Sequence, residues 1–324
     1  MSDKLEGMNR KSTVCVHPDA QDFVDSQESG PPIETLAPEL VRKAQHAGLS
    51  KRGVPAEMAS VQDIEIAGVP VRVYEPFNEE TSASQAESAT VHPAFVYFHG
   101  GGWVIGDLDS VDSTVRAIAE VSGIMCVSVD YRRAPENPFP AALDDCMAVV
   151  DALLARESGL SVDSGKVAIG GDSAGGNIAA VIAQQRREQV AHQVLIYPVM
   201  DVSSFDTASH ETFAAGFGNT RGELSYFYDA YAADADRRDV RLSPGLNTDL
   251  KGLPPAAVIT AECDGLLDEA TVYARCMIEA GNQVSVLEFK GQVHGFVHMG
   301  AIIEDANVAR RLIGTELKAA LASH

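Results

Sequence analysis

A chain of 324 residues, 45% of them apolar, is long enough for one large α/β domain with added elements. Its 25 Lys and Arg against 46 Asp and Glu give a formal net charge of −21. That balance excludes nucleic acid and anionic membrane surfaces as partners, because both demand clustered basic residues.

In chain order, residues 1–55 are polar, are broken by Pro31-Pro32 and carry a predicted helix from Ala37 to Ala47. Val61–Ile66 and Val69–Tyr74 are alternating runs separated by Ala67-Gly68, which predicts a hairpin. A polar stretch from Asn78 to Val91 reads as a surface connection. Apolar runs at 94–98, 124–130, 166–170, 193–197, 255–261 and 283–289 then alternate with helical patterns at 111–122, 140–157, 174–188, 266–280 and 303–321. This alternation predicts a mostly parallel twisted sheet with helices on both faces. Residues 199–245 break the rhythm and hold seven of the chain's twenty aromatics. They read as a helical insertion that folds over the site together with the N-terminal segment. The division is thus 1–55, a core of 56–198 and 246–324, and the insertion at 199–245.

Four segments carry chemistry. Gly171-Asp-Ser-Ala-Gly175 follows an apolar strand and precedes a helical pattern, the arrangement of a nucleophile elbow in which Ser173 sits on a sharp turn. His99-Gly-Gly-Gly102 ends an earlier strand. A glycine loop of that kind, with the amide after the nucleophile, forms the oxyanion hole of α/β-hydrolases. Gly101, Gly102 and Ala174 are the candidate donors. Asp264 and His294 follow Ser173 in the order acid, then base, each just past the carboxyl end of a predicted strand. Glu262, Asp268 and His298 are the competitors. Glu262 is still on or near the strand, Asp268 reads as a helix N-terminal charge, and His298 as a helix or loop residue without catalytic part. Trp103, beside the glycine loop, and Phe213, in the insertion, are candidate walls of the acyl pocket, with packing as the alternative reading. Asp130–Glu136 reads as an ion-pair and turn cluster that fixes the loop beneath the oxyanion strand, with Asp144 or Asp145 as partners of Arg132 or Arg133.

On these segments the chain resembles the hormone-sensitive-lipase-like family of α/β-hydrolase esterases, in particular bacterial members with the Gly-Asp-Ser-Ala-Gly elbow. The likeness runs from about residue 15 to the end. It implies an α/β-hydrolase fold with a helical cap, Ser173 as nucleophile, Asp264 as triad acid and His294 as base. It also implies Gly101, Gly102 and Ala174 as oxyanion donors. Asp264-Gly-Leu-Leu-Asp-Glu269 departs from the family's usual Asp-Pro-Leu, and glycine there predicts a looser acid loop. Members are often dimers, so the resemblance makes a homodimer one arrangement to test.

The activity these parts predict is serine carboxylesterase hydrolysis of short- to medium-chain acyl esters, small molecules, without a cofactor. An amidase or lactonase using the same triad, or a hydrolase-fold ligand receptor, are the alternatives. The polar opening Met1–Met8 is not a secretory signal and no stretch reaches the apolar length of a membrane span, which predicts no membrane insertion. The five cysteines, at 15, 126, 146, 263 and 276, show no Cys-x-x-Cys spacing, which predicts a cytoplasmic protein without disulfides. Cys126 and Cys276 read as small buried hydrophobes. The nine histidines include no His-x-x-x-His pair beside a carboxylate, which predicts no metal site.

Overall fold

The computed structural model describes residues 16–28, 31–77 and 91–322. Cys15 and the connection read at 78–90 lie outside the described residues. Helix α1 (Pro18–Glu28) and helix α2 (Pro38–Ala47) come first, α2 with proline at its first turn, where the missing N–H costs nothing. Strands β1 (Ser60–Ile66) and β2 (Val69–Glu75) form the expected hairpin. Ala67 and Gly68 both hold positive φ, 52° and 77°, as a type I′ turn demands.

The alternating core follows as β3 (His92–Phe98), α3 (Leu108–Ser122), β4 (Met125–Val129), α4 (Ala141–Leu154), β5 (Val162–Asp172), α5 (Ala174–Gln185) and β6 (His192–Ile196). Residues 199–245 hold α6 (Ala208–Thr212) and α7 (Arg221–Ala232). The chain then completes β7 (Ala256–Cys263), α8 (Leu267–Glu279), β8 (Val284–Val293) and α9 (Glu304–Ala320). Local chemistry sets several boundaries. Asp107 and Ser110 cap α3 reciprocally and Gly123 ends it at φ 69°, while Thr220 and Glu223 cap α7 in the same way.

The eight strands form one sheet in the order β1-β2-β4-β3-β5-β6-β7-β8. Only β2 runs antiparallel to its neighbours. This is the α/β-hydrolase fold. Because successive side chains on a strand face opposite ways, Ala94, Val96 and Phe98 of β3 join the core beneath α4, α5 and α8. Phe95 and Tyr97 join the core beneath α3 and α9. Strand β4 lies on one side of β3 and β5 on the other, so the chain reverses its travel across the sheet at β3 and β5. The crevice past the carboxyl ends at such a reversal is where open α/β sheets bind ligands. Cys126 is buried as expected, but Cys276 is only half-buried, packed at the margin of the core.

Candidate active site

Strand β5 ends at Asp172 and α5 begins at Ala174, which leaves Ser173 at φ 54°, ψ −115°, a conformation costly for any side chain. The turn is held because the Ser173 amide donates to the Ile196 carbonyl at 2.8 Å and its own carbonyl accepts from Asn177 at 3.0 Å. Glycine at 175 is required by close approach. A Cβ there would fall inside the contact radius of the Phe98 carbonyl oxygen on β3.

Past β8, His294 reaches back to the serine. Its Nε2 lies 3.0 Å from Ser173 Oγ and its Nδ1 2.7 Å from Asp264 Oδ2. The carboxylate fixes the tautomer, so Nδ1–H donates to Asp264 and Nε2 accepts from the serine hydroxyl. Asp264 Oδ1 accepts from the Leu266 amide at 3.0 Å. Burial alone would lower the His294 pKa, but the charge and hydrogen bond of Asp264 overcome it and raise the pKa above its ordinary value. The fold brings Ser173, Asp264 and His294 within hydrogen-bond reach of one another, and none of the three competitors hydrogen-bonds Ser173. Glu262 accepts from the Gly291 amide, and Asp268 accepts from the Ser209 amide in the first turn of α8.

The acid loop is not loose. Ser209 of α6 donates to the Gly265 carbonyl at 2.6 Å and accepts from the Asp268 amide at 3.2 Å. The glycine that stands in the proline position is tied by a neighbouring helix instead.

The loop after β3 turns across the elbow. Gly101 and Gly102 hold φ 109° and 57°, and a Cβ on Gly102 would collide with the Phe227 ring of α7. Among the described residues, the amides of Gly101, Gly102 and Ala174 donate to no protein group. The loop is anchored by a residue that the motif alone did not reveal. Buried Asp172 accepts from the Gly100 amide at 3.0 Å and Tyr97 Oη at 2.7 Å through Oδ1, and from His298 Nε2 at 2.9 Å through Oδ2. Burial would raise its pKa, but His298 and Tyr97 hold it down to about 2. His298 in turn meets Thr114 Oγ1 at 2.9 Å. Burial lowers the His298 pKa against the pull of Asp172, so the ring is neutral at neutral pH. His298, read as a residue without catalytic part, stands behind the site as a prop.

The cluster at 130–136 is structural, as expected. Arg132 grips Asp145, not Asp144, through Nη2 at 2.7 Å and Nε at 2.9 Å. Arg133 donates to the Gly106 carbonyl at 2.6 Å, and Tyr131 Oη to the His99 carbonyl at 2.7 Å. Arg42 of α2 joins Glu136 and the Val104 carbonyl, fastening α2 to the glycine loop.

Ser173 and His294 open on a cavity of about 460 Å³, walled by residues of α1, α2, the 49–52 turn, the glycine loop and α7. Trp103 does form part of the wall, and it also stacks on Tyr231 with ring centroids 4.3 Å apart. Phe213 does not line this cavity. It is buried against Phe217, edge to face at 5.0 Å, because its side of the insertion packs on the core. Among the described residues no group of three or more His, Cys, Asp or Glu side chains is placed to hold a metal ion.

A family profile described as alpha/beta hydrolase fold matches residues 95–298. The ethyl acetate hydrolase of Pseudomonas putida is 34% identical over 312 residues, covering 91% of this chain and 96% of that protein. The chain belongs to the hormone-sensitive-lipase-like esterase family. Carboxylesterase NlhH of Mycobacterium tuberculosis is 36% identical over 250 residues, covering 74% and 75% of the two chains. A solved α/β-hydrolase enzyme from the metagenome of Lake Arreo superposes with a TM-score of 0.87 at 35% identity, covering 95% of this chain and 99% of its own. A thermostable esterase of Pseudomonas putida superposes at 0.86 with 32% identity, covering 97% and 100%. The present chain is accordingly an enzyme of the carboxylic ester hydrolase class.

Proposed function

We propose that this esterase hydrolyses short- to medium-chain acyl esters through an acyl-enzyme on Ser173. The observation that carries the reading is the continuous chain of hydrogen bonds from Ser173 Oγ through His294 to Asp264. In the first half-reaction His294 Nε2 takes the serine proton as Oγ attacks the ester carbonyl. Asp264 stabilises the imidazolium that results. The carbonyl electron pair moves onto oxygen, where the amides of Gly101, Gly102 and Ala174 receive it at the N-terminus of α5. Each such donor contributes about 3 kcal/mol to the barrier reduction. Collapse of the adduct expels the alcohol, protonated by His294. Water, deprotonated by the same ring, then attacks the acyl-enzyme and releases the acid. No group beyond these side chains and amides enters the scheme.

The cavity of about 460 Å³ lies within the range of about 300–1,000 Å³ for small-molecule pockets, which fits a small ester. So does the relative named for ethyl acetate. Walls contributed by α1, α2 and α7 support reading residues to about 55, together with 199–245, as a cap. Free Cys126, Cys146 and Cys276 support a reducing, cytoplasmic setting. Among the described residues no helix is long and apolar enough to cross a membrane.

Initial rates on p-nitrophenyl esters from acetate to palmitate test the proposal. Rates should peak at short or medium chains, and Ser173→Ala should lower kcat by about 10⁴- to 10⁶-fold. A peak at palmitate overturns the chain length, and an unchanged Ser173→Ala enzyme overturns the nucleophile. A folded wild type inert on every ester would favour an amidase or lactonase, and failure to label with a fluorophosphonate would favour a receptor.

A further inference from the structure

Arg52 is more than nine-tenths buried, yet no described carboxylate lies within ion-pair distance of it. Its Nη1 donates to the Ser110 carbonyl, while Nε has no hydrogen-bond partner and Nη2 none among the described residues. Nε is enclosed by protein, so Nη2 is the guanidinium donor left for an oxygen of a carboxylate. A buried cation left in this state is costly unless something else compensates it. The carboxylate whose field reaches it most strongly is Asp172, and that group is already engaged by Tyr97, Gly100 and His298. A second buried guanidinium, Arg310, donates to the Arg52 carbonyl at 3.4 Å and adds to the local positive surplus.

Arg52 lines the cavity that holds Ser173 and His294, and Lys51 lies beside it on the same wall, its Nζ 3.4 Å from Ser26 Oγ. Glu223 faces the cavity from α7, but its carboxylate is turned onto the Thr220 amide at 2.6 Å as a helix cap. We propose that Arg52 and Lys51 form an anion subsite of the catalytic cavity, so that this enzyme favours esters carrying a carboxylate. This rests on the esterase reading of Ser173. The carboxylate could ride on the acyl part, as in a half-ester of a short dicarboxylic acid. It could equally ride on the alcohol part, as in an acyl ester of a short hydroxy acid.

Two matched pairs separate these sources, monomethyl against dimethyl glutarate, and 3-acetoxybutyrate against its methyl ester. Rates are taken at about 0.15 M salt, where the chain's overall negative charge is screened beyond about 8 Å. The anionic member of at least one pair should show kcat/KM higher by about tenfold or more, the factor of one charge-assisted hydrogen bond. The pair that responds names the source. In Arg52→Met the anionic-to-neutral ratio should fall to about one, Arg52→Lys should restore part of it, and Lys51→Ala should lower it severalfold. Neutral esters turned over as well as anionic ones in both wild-type pairs would overturn the subsite, as would an unchanged ratio in folded Arg52→Met. Should Arg52→Met not fold, the wild-type ratios and Lys51→Ala still decide. Hydrolysis of no ester in either pair would instead defeat the esterase reading.

Discussion

Asp264 and Asp172 are both buried carboxylates beside a histidine, and they act in different ways. Asp264 sets the base. On the proposed mechanism only neutral His294 takes the serine proton, so activity should be lost as pH falls through its pKa, which Asp264 raises above its ordinary value. The acid limb of kcat/KM should therefore lie above pH 6.5. In Asp264→Asn the main opposition to burial is lost, so the limb should move to lower pH while kcat falls about 10⁴-fold. Asp172 does not line the cavity and instead holds the glycine loop through the Gly100 amide. Asp172→Asn sets an amide N–H against the His298 Nε2–H and removes the charge that offsets Arg52. Denaturant unfolding should show a loss of about 3 kcal/mol, and kcat should drop about tenfold with KM changed less. Ser173, Asp264 and His294 were legible because each stands in its own motif at a strand end. Asp172, His298 and Arg52 were not, because their meaning comes from segments near residues 97, 114 and 310 that meet only in space.

The hairpin and the alternating core were readable because periods of 2 and 3.6 survive in long buried elements. The stretch at 199–245 was readable only as helical and aromatic. Its helices have 5 and 12 residues, and aromatic content announces burial without naming the partner surface. That is why Phe213, read as a wall, turned instead into the core against Phe217. The short helix α6 has a duty that no periodicity shows, tying the acid loop through Ser209. Ser209→Ala removes both hydrogen bonds and strands the Gly265 carbonyl. It should cost about 1–3 kcal/mol of stability and lower kcat severalfold, and thermal melts with steady-state rates check both.

For the whole molecule, His192 at the start of β6 is one of several buried groups through which pH acts. Both its ring nitrogens are buried without hydrogen-bond partners among the described residues, and burial lowers its pKa to about 4 despite Glu316 at 3.6 Å. The unfolded chain binds a proton there at about pH 6.5, the folded chain only near 4. Stability is thus full above 6.5 and is lost progressively as pH falls toward 4, by about 3 kcal/mol from this ring. Melting temperatures from pH 8 to 4 should show the decline, and His192→Gln should flatten it.

Strand β8, which leads into His294, is an edge strand of the sheet and among the described residues pairs only with β7. Its last residues are fastened from outside by α1. The His17 amide donates to the Gly291 carbonyl at 2.8 Å, and Asp19 accepts from Gln292, two residues before His294, and from the Glu304 amide. The α1 segment thus braces the strand end that leads to His294 and also walls the cavity, so one short helix ties the aim of the proposed base to the shape of the pocket.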